Sequence, residues 1–164
     1  MTRESSTVAV AALVRMADSA FDGQHWHATM RNLGSLNAED WDWTPPDGKR
    51  TIRELVRHIG KCKVHFADQL FGDGTRSWEE PIPAALHPGG NIEDALAWLR
   101  EAHKAFRDGI AGLDDSDLST TRSGYWNEPR ELQWSIEVMI QHEIYHTGEV
   151  NHIRALHQGN DFWD

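Results

Sequence analysis

Gln141–His152 reads QHEIYHTGEVNH, and the path its backbone takes decides the fold. It contains H-E-x-x-H, the spacing that in zinc peptidases sets two histidines and a catalytic glutamate on one helix. The longer peptidase signature, H-E-x-x-H-x-x-G-x-x-H, needs a glycine that breaks the helix and turns a third histidine back. Here Glu149 stands at that glycine's position, and the glycine, Gly148, comes one residue early. Val150 and Ile153 prolong the apolar stripe of Leu132, Ile136, Met139 and Ile140, so one helix is expected from about Glu131 to His157. On such a helix His152 points roughly 80° away from His142 and roughly 120° from His146. No methionine follows Met139 to make the turn that closes such peptidase sites. The stretch reads as the closing helix of a helical domain, and not as an H-E-x-x-H peptidase.

His142 and His146 stand about 40° apart around that helix and one turn apart along it, so both rings can reach one ion. Imidazole nitrogen suits zinc or nickel. With ten histidines in 164 residues, one such pair also arises by chance. A third ligand from another segment is what would define a site.

Upstream, three more helical segments are expected. The first covers about 6–20, with Val10, Leu13, Val14, Ala17 and Phe21 on one stripe; it breaks at FDGQ and resumes from near Trp26 to about Leu33. WDWTPPDGKR then blocks helix with two prolines and a glycine. The second segment opens with a capping box, Thr51-x-x-Glu54, and buries Ile52, Leu55, Val56, Ile59, Phe66 and Leu70. The third starts at an N-cap, Asn91, with Glu93 and Asp94 favourable to the helix dipole, and buries Ile92, Ala95, Leu96, Leu99, Phe106 and Ile110. Long irregular stretches flank it, and strand-like alternation is nearly absent. The simplest architecture is an all-α four-helix bundle, one domain over residues 1–164, with long connections before and after the third helix.

Composition narrows the function classes. Net charge is −10 and pI about 5.4, with no basic patch, so nucleic acid is not an expected partner. Mean hydropathy is −0.61, and no apolar run approaches the about 18 residues of a membrane span. The N-terminal stretch is interrupted by charges and lacks a small-residue cleavage site, so no signal peptide is expected. With Cys62 as the single cysteine, the expected compartment is the reducing cytoplasm. The eight tryptophans (26, 41, 43, 78, 98, 126, 134 and 163) read mainly as core and bundle-end packing, with pocket lining as the alternative.

The second helix offers candidates for the third ligand. In TIRELVRHIGKCKVHF, His58 borders the apolar stripe, while Cys62 and His65 share its face one and two turns on. Cys62 reads more naturally as a small core residue.

Taken together, WTPPDGKRTIRELVRHIG, the third helix and MIQHEIYHTGEVNHIRALHQGND resemble, in order, the DinB-like superfamily of metal-binding four-helix bundles, which includes thiol-dependent isomerases and transferases. The resemblance implies an up-down-down-up bundle, frequently dimeric, with metal held by one histidine of the second helix and two of the fourth: His58, His142 and His146. HWHATM is similar to a W-H element of one branch, which would turn His27 toward the cavity. Three neutral nitrogens leave a coordination position open, as in catalytic zinc sites.

Glu143 falls within about 20° of Ile136 on a continuous helix, where a carboxylate must be paired. It is expected either to accept the N–H of a ligand histidine or to be capped by Arg or Lys from a neighbouring helix. Glu149 lies near the His142 face, toward the metal mouth or solvent. The resemblance thus implies a divalent metal, zinc first and nickel second, activating a low-molecular-weight thiol against a small electrophile. The acidic surface opposes an anionic thiol, and Arg53, Arg57 and Lys61 are the candidates to offset it. The rival readings are hydrolysis by metal-activated water and a non-enzymatic metal-binding or sensing bundle. A homodimer is expected, with exposed tryptophans or Tyr145 contributing.

Overall fold

The computed structural model describes residues 6–123 and 128–160. Trp126 and Trp163 lie outside them. Among the described residues six α-helices carry the fold: α1 (Val8–Asp22), α2 (Thr29–Leu33), α3 (Ala38–Trp41), α4 (Ile52–Phe71), α5 (Ile92–Ala111) and α6 (Leu132–Gln158). The long ones, α1, α4, α5 and α6, form an all-α bundle in which α4 and α1 each pack against both α5 and α6. None is long and apolar enough to cross a membrane.

The helix starts follow local chemistry. Thr51 accepts Glu54 N–H at 3.2 Å, and Glu54 accepts Thr51 N–H at 2.9 Å, the reciprocal box expected at the head of α4. Asn91 accepts Asp94 N–H at 3.1 Å and opens α5. α1 has no such cap of its own. The Asp115 carboxylate, from the turn after α5, accepts Val8 N–H and Val10 N–H at 3.0 Å each and Ser6 Oγ at 2.6 Å. α6 runs unbroken through Gly148 and stops at Gly159, which takes the left-handed φ of 70° that closes a helix.

Two local elements depart from the expected pattern. α3 forms where no helix was expected, because Asn37 and Asp40 make their own capping box. A short antiparallel hairpin, β1 (Thr121–Ser123) with β2 (Pro129–Glu131), precedes α6. Its residues are exposed, so it left no apolar alternation to read.

Contacts between α4 and α5 advance together along both helices: Gly60 lies under Trp98 and Phe71 against Gly109. Helices running the same way need a long return, which residues 72–91 supply. The apolar core has two halves. One joins Leu13, Phe66, Phe106 and Ile136; the other joins Trp41, Ile59, Leu99 and Val150.

A buried polar network bridges the bundle. Lys63 Nζ donates to Glu143 at 2.8 Å, both side chains 1% exposed. The same Nζ lies 3.0 Å from His103 Nδ1, and His103 Nε2 lies 3.3 Å from Asp18. Thr29 donates to the second Glu143 oxygen at 3.0 Å. Phe21 stacks on His103 with ring centroids 3.9 Å apart. Burial, then the Lys63 ammonium, pushes His103 down to about 4. The sequence carries a signal for this network. Lys63, His103 and Glu143 each occupy an apolar slot of their helix, four after Ile59, four after Leu99 and seven after Ile136.

Candidate metal centre

α4 and α6 meet at three imidazoles. His58 Nε2 and His142 Nε2 are 3.0 Å apart, as are His142 Nε2 and His146 Nε2. The ring centroids are separated by 5.0 Å (58 to 142), 4.7 Å (58 to 146) and 4.4 Å (142 to 146). The i and i+4 spacing on α6 stacks its pair one turn apart, and α4 delivers the third ring across the helix interface.

Cys62, one turn past His58, brings Sγ to 3.8 Å from His58 Nε2. The ligand atoms of His58, Cys62 and His142 all lie within 4.8 Å of one another. Among the described residues this His/Cys/His group could hold a metal ion. Two donor sets therefore share His58 and His142 and differ in taking Cys62 or His146 as third member. Burial pushes the Cys62 thiol up to about 12.

The donors fit a cation. A neutral imidazole offers at Nε2 either one N–H or one lone pair, so His142 Nε2 can satisfy only one of the two nitrogens facing it. Three imidazoles on a tetrahedral zinc would place their nitrogens about 3.3 Å apart, near the 3.0 Å of the two pairs that share His142. Burial pushes His142 down to about 4, with His146, His58 and Lys63 adding to the effect. Burial also holds His58 below the ordinary imidazole range, helped by His146 and Arg50. Both rings are thus neutral near pH 7, as ligands must be.

The residues around the cluster sort differently from the sequence reading. Glu143 accepts from Lys63 and Thr29 and not from a candidate ligand histidine; of the two alternatives, this is the neighbouring-helix cation. His142 Nδ1 is buried and has no hydrogen-bond partner among the described residues. Glu149 takes the orienting role: its carboxylate accepts from His146 Nδ1, which leaves His146 Nε2 facing the cluster. His27 does not join; it stacks on His25 at 5.3 Å and lines a groove between α1 and α6. His65 is buried against Trp78, ring centroids 4.8 Å apart. His152 is exposed on the continuing helix.

A cavity of about 640 Å³ opens at His58, walled by Trp78, Pro81, Ile82 and His87. Arg57 and Lys61 line it, and so do Lys49 and Arg50. Arg53 does not, because its guanidinium is buried on Asp42 at 2.6 and 2.7 Å and on the carbonyls of Ala85 and Gly90. Trp78 links wall and cluster, with its ring 6.4 Å from that of His58. Of the other tryptophans, Trp41 is core, Trp43 and Trp98 pack on the core edge, and Trp26 and Trp134 are exposed.

Fold and cluster together define an all-α bundle with a His/Cys/His group suited to a metal ion. The sequence profile of the DinB superfamily matches residues 23–150, a span from the end of α1 to Val150 of α6. The chain belongs to the DinB superfamily. A comparison with curated proteins finds no match.

Proposed function

We propose that this protein is a metal-dependent enzyme in which His58, His142 and His146 hold a divalent cation, zinc or nickel, and which joins a low-molecular-weight thiol to a small electrophile. The observation that carries this reading is the approach of His58 Nε2 and His146 Nε2 to His142 Nε2, 3.0 Å each, beside a cavity large enough for a small substrate. A cation held there supplies a Lewis acid that makes a thiol or water at its open position a better nucleophile.

The chain's own residues do the rest. Glu149 fixes the His146 tautomer. The α4–α6 contact holds His58 against the α6 pair. Trp78, Pro81 and Ile82 give the substrate an apolar wall, and Arg50, Arg57, Lys49 and Lys61 offset the acidic field for an anionic thiol.

Cys62 gives one rival a specific footing. Were it a fourth ligand beside three histidines, the site would be closed, as structural zinc sites are. Its thiol, held up to about 12 by burial in the metal-free protein, would have to lose its proton on ligation, a step that the open three-histidine set does not require. Cobalt substitution distinguishes the two, since thiolate ligation adds a charge-transfer band that Cys62→Ser removes. The activity test uses tag-free, zinc-loaded protein with monochlorobimane and a panel of thiols. Conjugation that disappears in His142→Ala supports thiol transfer. Ester cleavage without thiol dependence would replace it with hydrolysis, and neither activity would leave a binding bundle.

A further inference from the structure

The cavity at His58 has a charge out of keeping with the molecule. Against a net charge of −10, its wall carries Lys49, Arg50, Arg57 and Lys61 against three carboxylates. Two of those carboxylates are engaged: Glu54 in the α4 cap at 2.9 Å, and Glu80 with Arg76 at 3.1 Å and Ser77 N–H at 3.3 Å. Lys61 is fixed as well, donating to the Trp78 carbonyl at 2.5 Å with its ammonium 4.6 Å from the Trp78 ring.

Arg50 and Arg57 are different. Among the described residues each meets a single carboxylate at 3.9 Å, Glu149 and Glu54 respectively, with the side chains 55% and 38% exposed. That distance is too long for a hydrogen bond. The buried Arg53 between them in sequence spends its donors on Asp42, Ala85 and Gly90. Where this protein needs an arginine for structure, it saturates it. Arg50 and Arg57 instead bring unspent planar donors to an open cavity, the arrangement that suits a carboxylate or phosphate.

We infer that this cavity is a subsite for small organic oxyanions, in which Arg50 and Arg57 hold a carboxylate or phosphate while Trp78, Pro81 and Ile82 pack against a compact apolar body. The far end of such a ligand points to His58. The subsite deepens the proposed metal-centre reading and depends on it for the reacting group, but not for binding.

The probes are benzoate, the near-isosteric neutral benzamide, and phenyl phosphate, titrated into full-length chelator-treated protein and followed by amide and indole NMR shifts. Benzoate and phenyl phosphate should move the Trp78 indole and the Arg50 and Arg57 amides and weaken with added salt. The stronger of the two names the preferred oxyanion. Benzamide should bind at least about tenfold more weakly, the worth of one charge-assisted hydrogen bond. The double variant Arg50→Gln/Arg57→Gln should lose benzoate by about tenfold or more with an unchanged melting temperature, and the control Arg15→Gln, on another face, should not. Equal binding of benzamide, benzoate affinity retained in the double variant, or binding seen only after zinc is restored would each overturn the subsite. Binding to metal-free protein with no thiol conjugation by the zinc-loaded form would sink the proposed activity and leave the subsite standing.

Discussion

Replacing Lys63 by Met strands the Glu143 carboxylate. In the wild type the two groups meet at 2.8 Å with both side chains 1% exposed. At an effective dielectric near 20, that attraction is about 6 kcal/mol. Most of it offsets the cost of burying two charges, so the net worth of the pair is far smaller. Truncating one partner uncovers that cost. Glu143 keeps only the Thr29 hydroxyl at 3.0 Å, and His103 Nδ1 loses the ammonium 3.0 Å away. The expected loss is about 3–5 kcal/mol, a large share of the about 5–15 kcal/mol that holds a domain of this size together. Converting both residues, Lys63→Met with Glu143→Leu, should restore at least half of that loss. Thr29 can turn to the Ala20 carbonyl at 3.3 Å, and two apolar side chains fill the layer. Urea unfolding of all four proteins in chelator gives the coupling energy directly. A Lys63→Met protein within about 1 kcal/mol of wild type, or a double variant as weak as the two singles added, would refute the account of a mutually dependent buried pair.

Other consequences follow from the same contacts. Glu149→Ala frees the His146 ring and should weaken zinc affinity by about 10–100-fold, measured by competition with a chromophoric chelator; unchanged affinity would remove Glu149 from the site. His103 is held down to about 4 by burial and Lys63, and His142 to about 4 by burial, against an ordinary value near 6.5. The unfolded chain therefore takes up protons first, so stability is full above about pH 6.5 and falls as pH drops toward about 4. Melting temperatures of metal-free protein across that window should decline steadily, and a flat profile would contradict the burial argument. Asp115→Ala removes the acceptor shared by Ser6, Val8 and Val10. Amide exchange in the first turn of α1 should rise while α6 stays protected.

The site was legible in part because its spacing is local. The i and i+4 histidines of α6 and the apolar continuation to Ile153 could be counted along one helix, and that count kept His152 out. His58 emerged as one of three candidates on α4, and only the resemblance chose among them. Cys62 reads from the sequence as a small core residue, and its closeness to His58 and His142 depends on the separation of two helices, which no local spacing gives. Glu149 was seen near the mouth, but its role needed the rotamer that reaches His146. Arg53 and Arg57, four residues apart on one helix, looked alike. One is buried under the 72–91 connection, and the other lines the cavity.

Sequence by itself determined the four long helices and the starts of α4 and α5, because caps, prolines and a 3.6-residue apolar period act within a few residues of one another. It determined the bundle, because four amphipathic stripes have to be buried somewhere. Only the tertiary structure decided which polar residues face one another: Lys63 with Glu143, His58 with the α6 pair, Asp115 with the head of α1. Those meetings join residues far apart in the chain, and a charge in an apolar slot says that a partner must exist without saying which helix brings it.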